Sequence, residues 1–324
     1  MSAHPGRFRP SLRRPAVLYL SAALLVSGTA GWYTFGGRAP SSAAAGTGSP
    51  SGVSLPTDLP WPTEGQSSAE VEGLGSLGTR GEQAPVPIAS ITKVMTAHVI
   101  LTSHPMAADE QGATVTADQQ AADESYSPTE STAPLVAGRD YTQRELLELM
   151  MLPSGNNVAR LLARWDAGSQ EEFAEKMNET ASKLGMDRTT YTGASGIEPS
   201  TQSTATDQLK LARAVMKNEA FRKIVATPTV TAPGVGVQIR NSNKLLGQDG
   251  VIGLKTGSST PAGGNLMWAA TQEVAGTSRL ILGVVLHQQA GTNPTQAMAA
   301  AFDASRTLIT AIRSALPEAS PPRT

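Results

Sequence analysis

Pro87-Ile88-Ala89-Ser90-Ile91-Thr92-Lys93-Val94-Met95-Thr96-Ala97 sets a hydroxyl and an amine three residues apart, just ahead of an apolar run. Serine is favoured at a helix N-cap or first turn, so the stretch predicts a helix from Ser90 to about Leu101. Residues at i and i+3 share a helix face, which lets the Lys93 amine reach the Ser90 oxygen. A serine hydroxyl is a poor nucleophile until a base takes its proton. Lysine can be that base when burial or a neighbouring cation lowers its pKa. A capped, solvated helix start satisfies the same four residues, so the rest of the chain has to decide.

Two further stretches do so. Ser154-Gly155-Asn156 follows Pro153, in what reads as a loop between helices. A hydroxyl and a side-chain amide there can converge on one point, and an amide both donates and accepts, as a peptide backbone requires. Lys255-Thr256-Gly257 follows the strand-like Val251-Ile252-Gly253-Leu254. Its glycine lets a ligand backbone approach an edge strand closely, and its lysine and threonine suit a carboxylate, one by charge and one by a hydroxyl hydrogen bond. Each pattern, S-x-x-K, S-x-N and K-T-G, occurs once, and they appear in that order.

Composition narrows the alternatives. The 324 residues allow one to three domains, and the net charge of −1 offers no basic footprint for nucleic acid. The absence of Cys excludes disulfides, thiolate metal sites and a Cys nucleophile, and none of the four His shows H-x-x-x-H spacing. The N-terminus carries Arg7, Arg9, Arg13 and Arg14 before an uncharged stretch at 16–35. That is an export signal. Residues 1–36 are either a signal peptide cleaved after the small residues Gly28-Thr29-Ala30, or an uncleaved anchor with Trp32 and Tyr33 at the outer interface. Residues 37–60, rich in Ala, Gly, Ser and Pro, read as a flexible spacer. A globular domain is expected over 61–316, with a loose tail at 317–324.

Within that domain the pattern predicts a strand hairpin around 68–78 and polar turns over 106–141. Helices are expected ending near Pro153 and at 156–166, 170–184, 206–217 and 295–316. Strands are expected at 228–232, 235–240, 250–256, 264–271 and 279–287. Strands flank a block of helices, and the connections between the last ones are short. The class is therefore α+β, with an antiparallel sheet carrying helices.

Taken together, the three motifs resemble the serine D-alanyl-D-alanine carboxypeptidases, the low-molecular-mass penicillin-binding proteins. The likeness runs over about 61–316 and includes Leu152-Pro153-Ser154-Gly155-Asn156-Asn157, Ser203-Thr204-Ala205-Thr206-Asp207, Asn241-Ser242-Asn243-Lys244-Leu245-Leu246 and Gly253-Leu254-Lys255-Thr256-Gly257. It implies the serine β-lactamase/DD-peptidase fold. It also implies Ser90 as nucleophile, Lys93 as its base and Ser154 as proton relay. Asn156, Lys255, Thr256 and Gly257 become substrate-binding residues, and the backbone N–H groups of Ser90 and Ser258 an oxyanion hole. No metal or cofactor is implied. The substrate would be a peptidoglycan stem peptide ending in D-Ala-D-Ala, with β-lactams as covalent inhibitors, outside the cytoplasm.

Two departures stand out. Thr192-Gly193-Ala194-Ser195-Gly196-Ile197 replaces the family's usual Asn-Pro-x-Gly-Leu-like segment, and the chain stops soon after its last core helix, without the C-terminal β domain of many members. A class A β-lactamase would need a Glu in an E-x-x-L-N pattern, which is absent between 157 and 200. Glu175, three before Asn178, does not match. A cell-wall peptide-binding module without turnover would not need a nucleophile and base.

Overall fold

The computed structural model describes residues 53–317. The export segment, most of the expected spacer and residues 318–324 of the tail lie outside them. The described end of the spacer is packed: Val53 and Leu59 are buried against one of the two cores.

The chain opens with the expected hairpin, β1 (Gln66–Val71) and β2 (Gly75–Arg80). After a short β3 (Val86–Pro87), residues Ala89–Thr92 make a 3-10 turn that runs into α1 (Lys93–Ser103). Ser90 therefore sits in the turn before the α-helix, and no side chain caps either element. The stretch read as polar turns contains β4 (Thr114–Thr116), α2 (Gln119–Glu124) and β5 (Asp140–Thr142). Next comes α3 (Gln143–Met151), started by a capping box between Thr142 and Glu145 and ended ahead of Pro153. Then follow α4 (Asn156–Ala167) and α5 (Gln170–Lys183), with Val158, Leu161 and Leu162 of α4 buried at helical spacing. A short β6 (Gln202–Ser203) pairs with β3, ahead of α6 (Ala205–Val215) and an unexpected α7 (Glu219–Ala226).

Among the described residues, β7 (Thr229–Thr231) and β8 (Gln238–Arg240) pair only with each other, apart from the main sheet. The three long late strands are β9 (Val251–Ser259), β10 (Gly263–Val274) and β11 (Thr277–Gln288), and α8 (Pro294–Ala315) ends the domain. The main sheet has the order β2-β1-β11-β10-β9, and every neighbouring pair is antiparallel.

Alternation along β10 and β11 divides the interior in two. Leu266, Trp268, Ala270 and Ile281 turn to one face, where Phe302, Leu308, Ile309 and Ile312 of α8 cover them. Met267, Ala269, Leu282, Val284 and Leu286 turn to the other, under the helices α1 and α3–α7. The fold is α+β, as expected. The 3-10 turn and the edge strand β9 meet at the boundary between sheet and helices. Gly257 makes that approach possible, since a Cβ there would lie 3.0 Å from the Ser90 nitrogen and 2.9 Å from that of Ile91.

Candidate active site

Lys93 is fully buried at the first turn of α1, while Ser90 is half-exposed in the turn before it. The Lys93 Nζ lies 2.9 Å from Ser90 Oγ, 2.5 Å from Asn156 Oδ1 and 2.8 Å from the Ser195 carbonyl oxygen. Two of these partners are carbonyl oxygens, which only accept. A neutral amine has two N–H bonds for them and one lone pair left. The remaining partner is a hydroxyl, which can donate into that lone pair. Burial lowers the Lys93 pKa well below the ordinary lysine value, and the charges of Lys255 and Arg160 push the same way against Glu130 and Glu198.

Ser154 and Asn156 approach from the start of α4. Ser154 holds a left-handed backbone, φ 69°, which a non-glycine residue adopts only when its surroundings enforce it. The Gly155 N–H donates to the Leu149 carbonyl and the Asn156 N–H to that of Ser131, which pins the turn. The Ser154 hydroxyl is buried and has no hydrogen-bond partner among the described residues. It faces a cleft of about 490 Å³ whose wall also includes Ser90, Ser242, Thr256, Gly257 and Ser258. A second cleft, bordered by Asn156, Glu130 and Ile197, meets the first at Ser90 and Ser258.

Lys-Thr-Gly lies inside β9 rather than at its end. Thr256 reaches the cleft and shares a 2.8 Å hydrogen bond with Ser242. Lys255 stays behind the wall, buried, with its amine donating to the Thr256 carbonyl at 3.0 Å. Burial pushes its pKa down to about 7.

The model of the D-alanyl-D-alanine carboxypeptidase family matches residues 77–290. The chain belongs to this family. A D-alanyl-D-alanine carboxypeptidase of Streptomyces sp. strain K15 is 36% identical over 213 residues, 61% of this chain and 71% of that one. One of Escherichia coli is 34% identical over 198 residues, and there the match spans only 50% of the relative. The crystal structure of the Streptomyces K15 DD-transpeptidase superposes with a TM-score of 0.66 at 31% identity, covering 76% of this chain and 96% of that one. The chain is thus a serine-type hydrolase of D-Ala-D-Ala ends and, like the family, a covalent penicillin binder. Its relatives are enzymes of the cell wall, outside the cytoplasm. Among the described residues, no helix is long and apolar enough to cross a membrane.

More residues meet at the site than the three motifs name. The segment 192–197 supplies two carbonyls: Ser195 accepts from Lys93, and Ala194 accepts from Thr96 at 2.6 Å. Gly196 allows that contact, because it has φ 79° and a Cβ there would come within 2.1 Å of the Ala89 oxygen. The Asn156 amide is oriented from behind. Its Nδ2 donates to Glu130 at 2.6 Å, so its oxygen must face Lys93. Arg160 in turn grips both Glu130 oxygens, at 2.8 and 3.1 Å, and also donates to Glu124 at 2.7 Å. Burial raises the Glu130 pKa, but the hydrogen bonds from Arg160 and Asn156 outweigh it, and the carboxylate is held below its usual range.

The Glu130 charge favours protonated Lys93. Glu130→Gln removes it, so the Lys93 pKa should fall further. With neutral Lys93 as the base for Ser90, the acid limb of penicillin acylation should then move to lower pH. A pH profile of acylation rate for the variant and the parent measures this, and an unmoved limb would contradict it.

Proposed function

We propose that the enzyme removes the terminal D-alanine of peptidoglycan stem peptides by acyl transfer to Ser90. The observation that carries this reading is the Lys93 amine, buried, shifted towards its neutral form and 2.9 Å from the Ser90 hydroxyl. Neutral Lys93 takes the Ser90 proton as Oγ attacks the carbonyl carbon. The N–H groups of Ser90 and Ser258 hold the oxyanion, each donor being worth about 3–4 kcal/mol in comparable sites. Ser154 passes the proton to the departing amine. Its unpartnered hydroxyl is free to do so. Water then hydrolyses the acyl-enzyme, activated by Lys93 and Ser154.

Asn156 keeps one amide N–H beyond the one given to Glu130, and this hydrogen bonds to the peptide on the acyl side. On the leaving side, Thr256 and Ser242 receive the terminal carboxylate, with the Lys255 charge behind them. A site that grips a free carboxylate next to the scissile bond selects chain ends, hence carboxypeptidase rather than internal cleavage. The uncharged segment at 16–35 anchors the chain, so that the domain from 61 works at the outer face of the membrane. The mass of the native N-terminus separates this from a cleaved signal.

The full chain should release D-alanine from a peptide ending in D-Ala-D-Ala and take up labelled penicillin covalently. Ser90→Ala should abolish both, and a variant that still labels would contradict the assignment of the nucleophile. Fast penicillin turnover without peptide turnover would indicate a β-lactamase instead. The pH profile carries a second expectation. Lys255 titrates at about 7, so with the free enzyme kcat/KM for a carboxylate-ended peptide should fall as pH rises through that range. A profile flat from 7 to 9 would remove Lys255 from carboxylate binding.

A further inference from the structure

The cleft that runs from Ser90 and Ser154 to α8 is larger as a whole than D-alanine needs. About 490 Å³ is room for a drug-sized ligand, whereas the terminal D-alanine adds a single methyl to its backbone atoms. One wall of the cleft is α8. Met298 and Phe302 stand one helical turn apart on that helix and Ala299 between them, and all three line the cleft. Phe302 is buried and Met298 half-buried, both rooted in the core beneath the sheet, so this wall is firm as well as apolar. Lys244, Asp303 and Arg306 border the same cleft with charge, Arg306 lying 3.9 Å from Asp303. They limit the apolar room to a side chain rather than a lipid or a docked helix.

The scissile carbonyl belongs at Ser90 and the carboxylate at Thr256 and Ser242, if the preceding assignment holds. The leaving residue must then span the same cleft that α8 walls. We propose that Met298, Ala299 and Phe302 form a subsite for the side chain of the terminal D-amino acid. The enzyme therefore also trims stem peptides that end in a larger apolar residue, such as D-Ala-D-Leu or D-Ala-D-Met. The chemistry is unchanged. The bond from Ser90 Oγ to the carbonyl carbon forms, the C–N bond breaks, the serine proton ends on the amine of free D-leucine, and water then cleaves the ester. No other reactant is consumed.

The test uses the full chain and three N-acetylated peptides that differ only at the end, D-Ala-D-Ala, D-Ala-D-Leu and D-Ala-D-Met, with the released amino acid quantified. The expected result is kcat/KM for D-Leu and D-Met within about tenfold of that for D-Ala, the scale on which an apolar pocket separates close side chains. Ala299 is exposed, so Ala299→Trp fills the subsite without loading the core. It should lower the D-Leu to D-Ala ratio about tenfold, mainly through KM. Release of D-alanine without D-leucine, or a ratio that Ala299→Trp leaves unmoved, would overturn the subsite while leaving the carboxypeptidase reading intact. Failure to release D-alanine from the reference peptide would overturn both.

Discussion

One buried amine constrains the rest of the site. Lys93 is taken out of water at the first turn of α1 and meets oxygens from three separate places: the 3-10 turn, the start of α4 and the 194–196 segment. A charged ammonium in such a place is costly, and the low-energy answer is to give up the proton. The surrounding groups suit the neutral form, with two carbonyls for its N–H bonds and one hydroxyl for its lone pair. The strained Ser154 turn, the glycine at 196 and the close approach of β9 through Gly257 all hold these partners in place.

Charge around the amine is balanced rather than maximised. Lys255 and Arg160 act against protonation, and Glu130 and Glu198 act for it. Glu130 also fixes the Asn156 amide, and it can stay ionised because Arg160 chelates it. Buried ion pairs contribute little net stability but are strongly destabilising to break, so such a network suits orientation better than stabilisation. Lys255 plays a different part. Its amine lies behind the cleft wall, so its charge reaches the cleft as a field through Thr256 rather than by contact.

The sequence revealed those parts of the fold that carry a period or a boundary. β9, β10 and β11 are long enough to alternate, and α8 has Asn293 and Pro294 at its start. The strands β3 to β6 have two or three residues each and leave no period to read. α7 lies outside the expected helices although Ala220, Phe221, Ile224 and Val225 repeat at helical spacing, because its eight residues fall between two stronger signals. In the site, motif chemistry led to Ser90, Lys93, Ser154, Asn156 and Thr256. Glu130 and Arg160 carried no such signal, since their meaning depends on contacts across the fold. Ser195 acts through its backbone carbonyl, which no side-chain motif can mark. Ser242 stood inside a segment shared with the family, without a role attached.

The most direct measurement is the ionisation of Lys93 itself. In a carbon NMR titration of the folded enzyme with labelled lysine, the Lys93 resonance is the one lost in Lys93→Met. The account predicts an inflection well below the ordinary lysine value of about 10.4. An inflection near that value would leave Lys93 charged at working pH, and a charged amine cannot take the Ser90 proton.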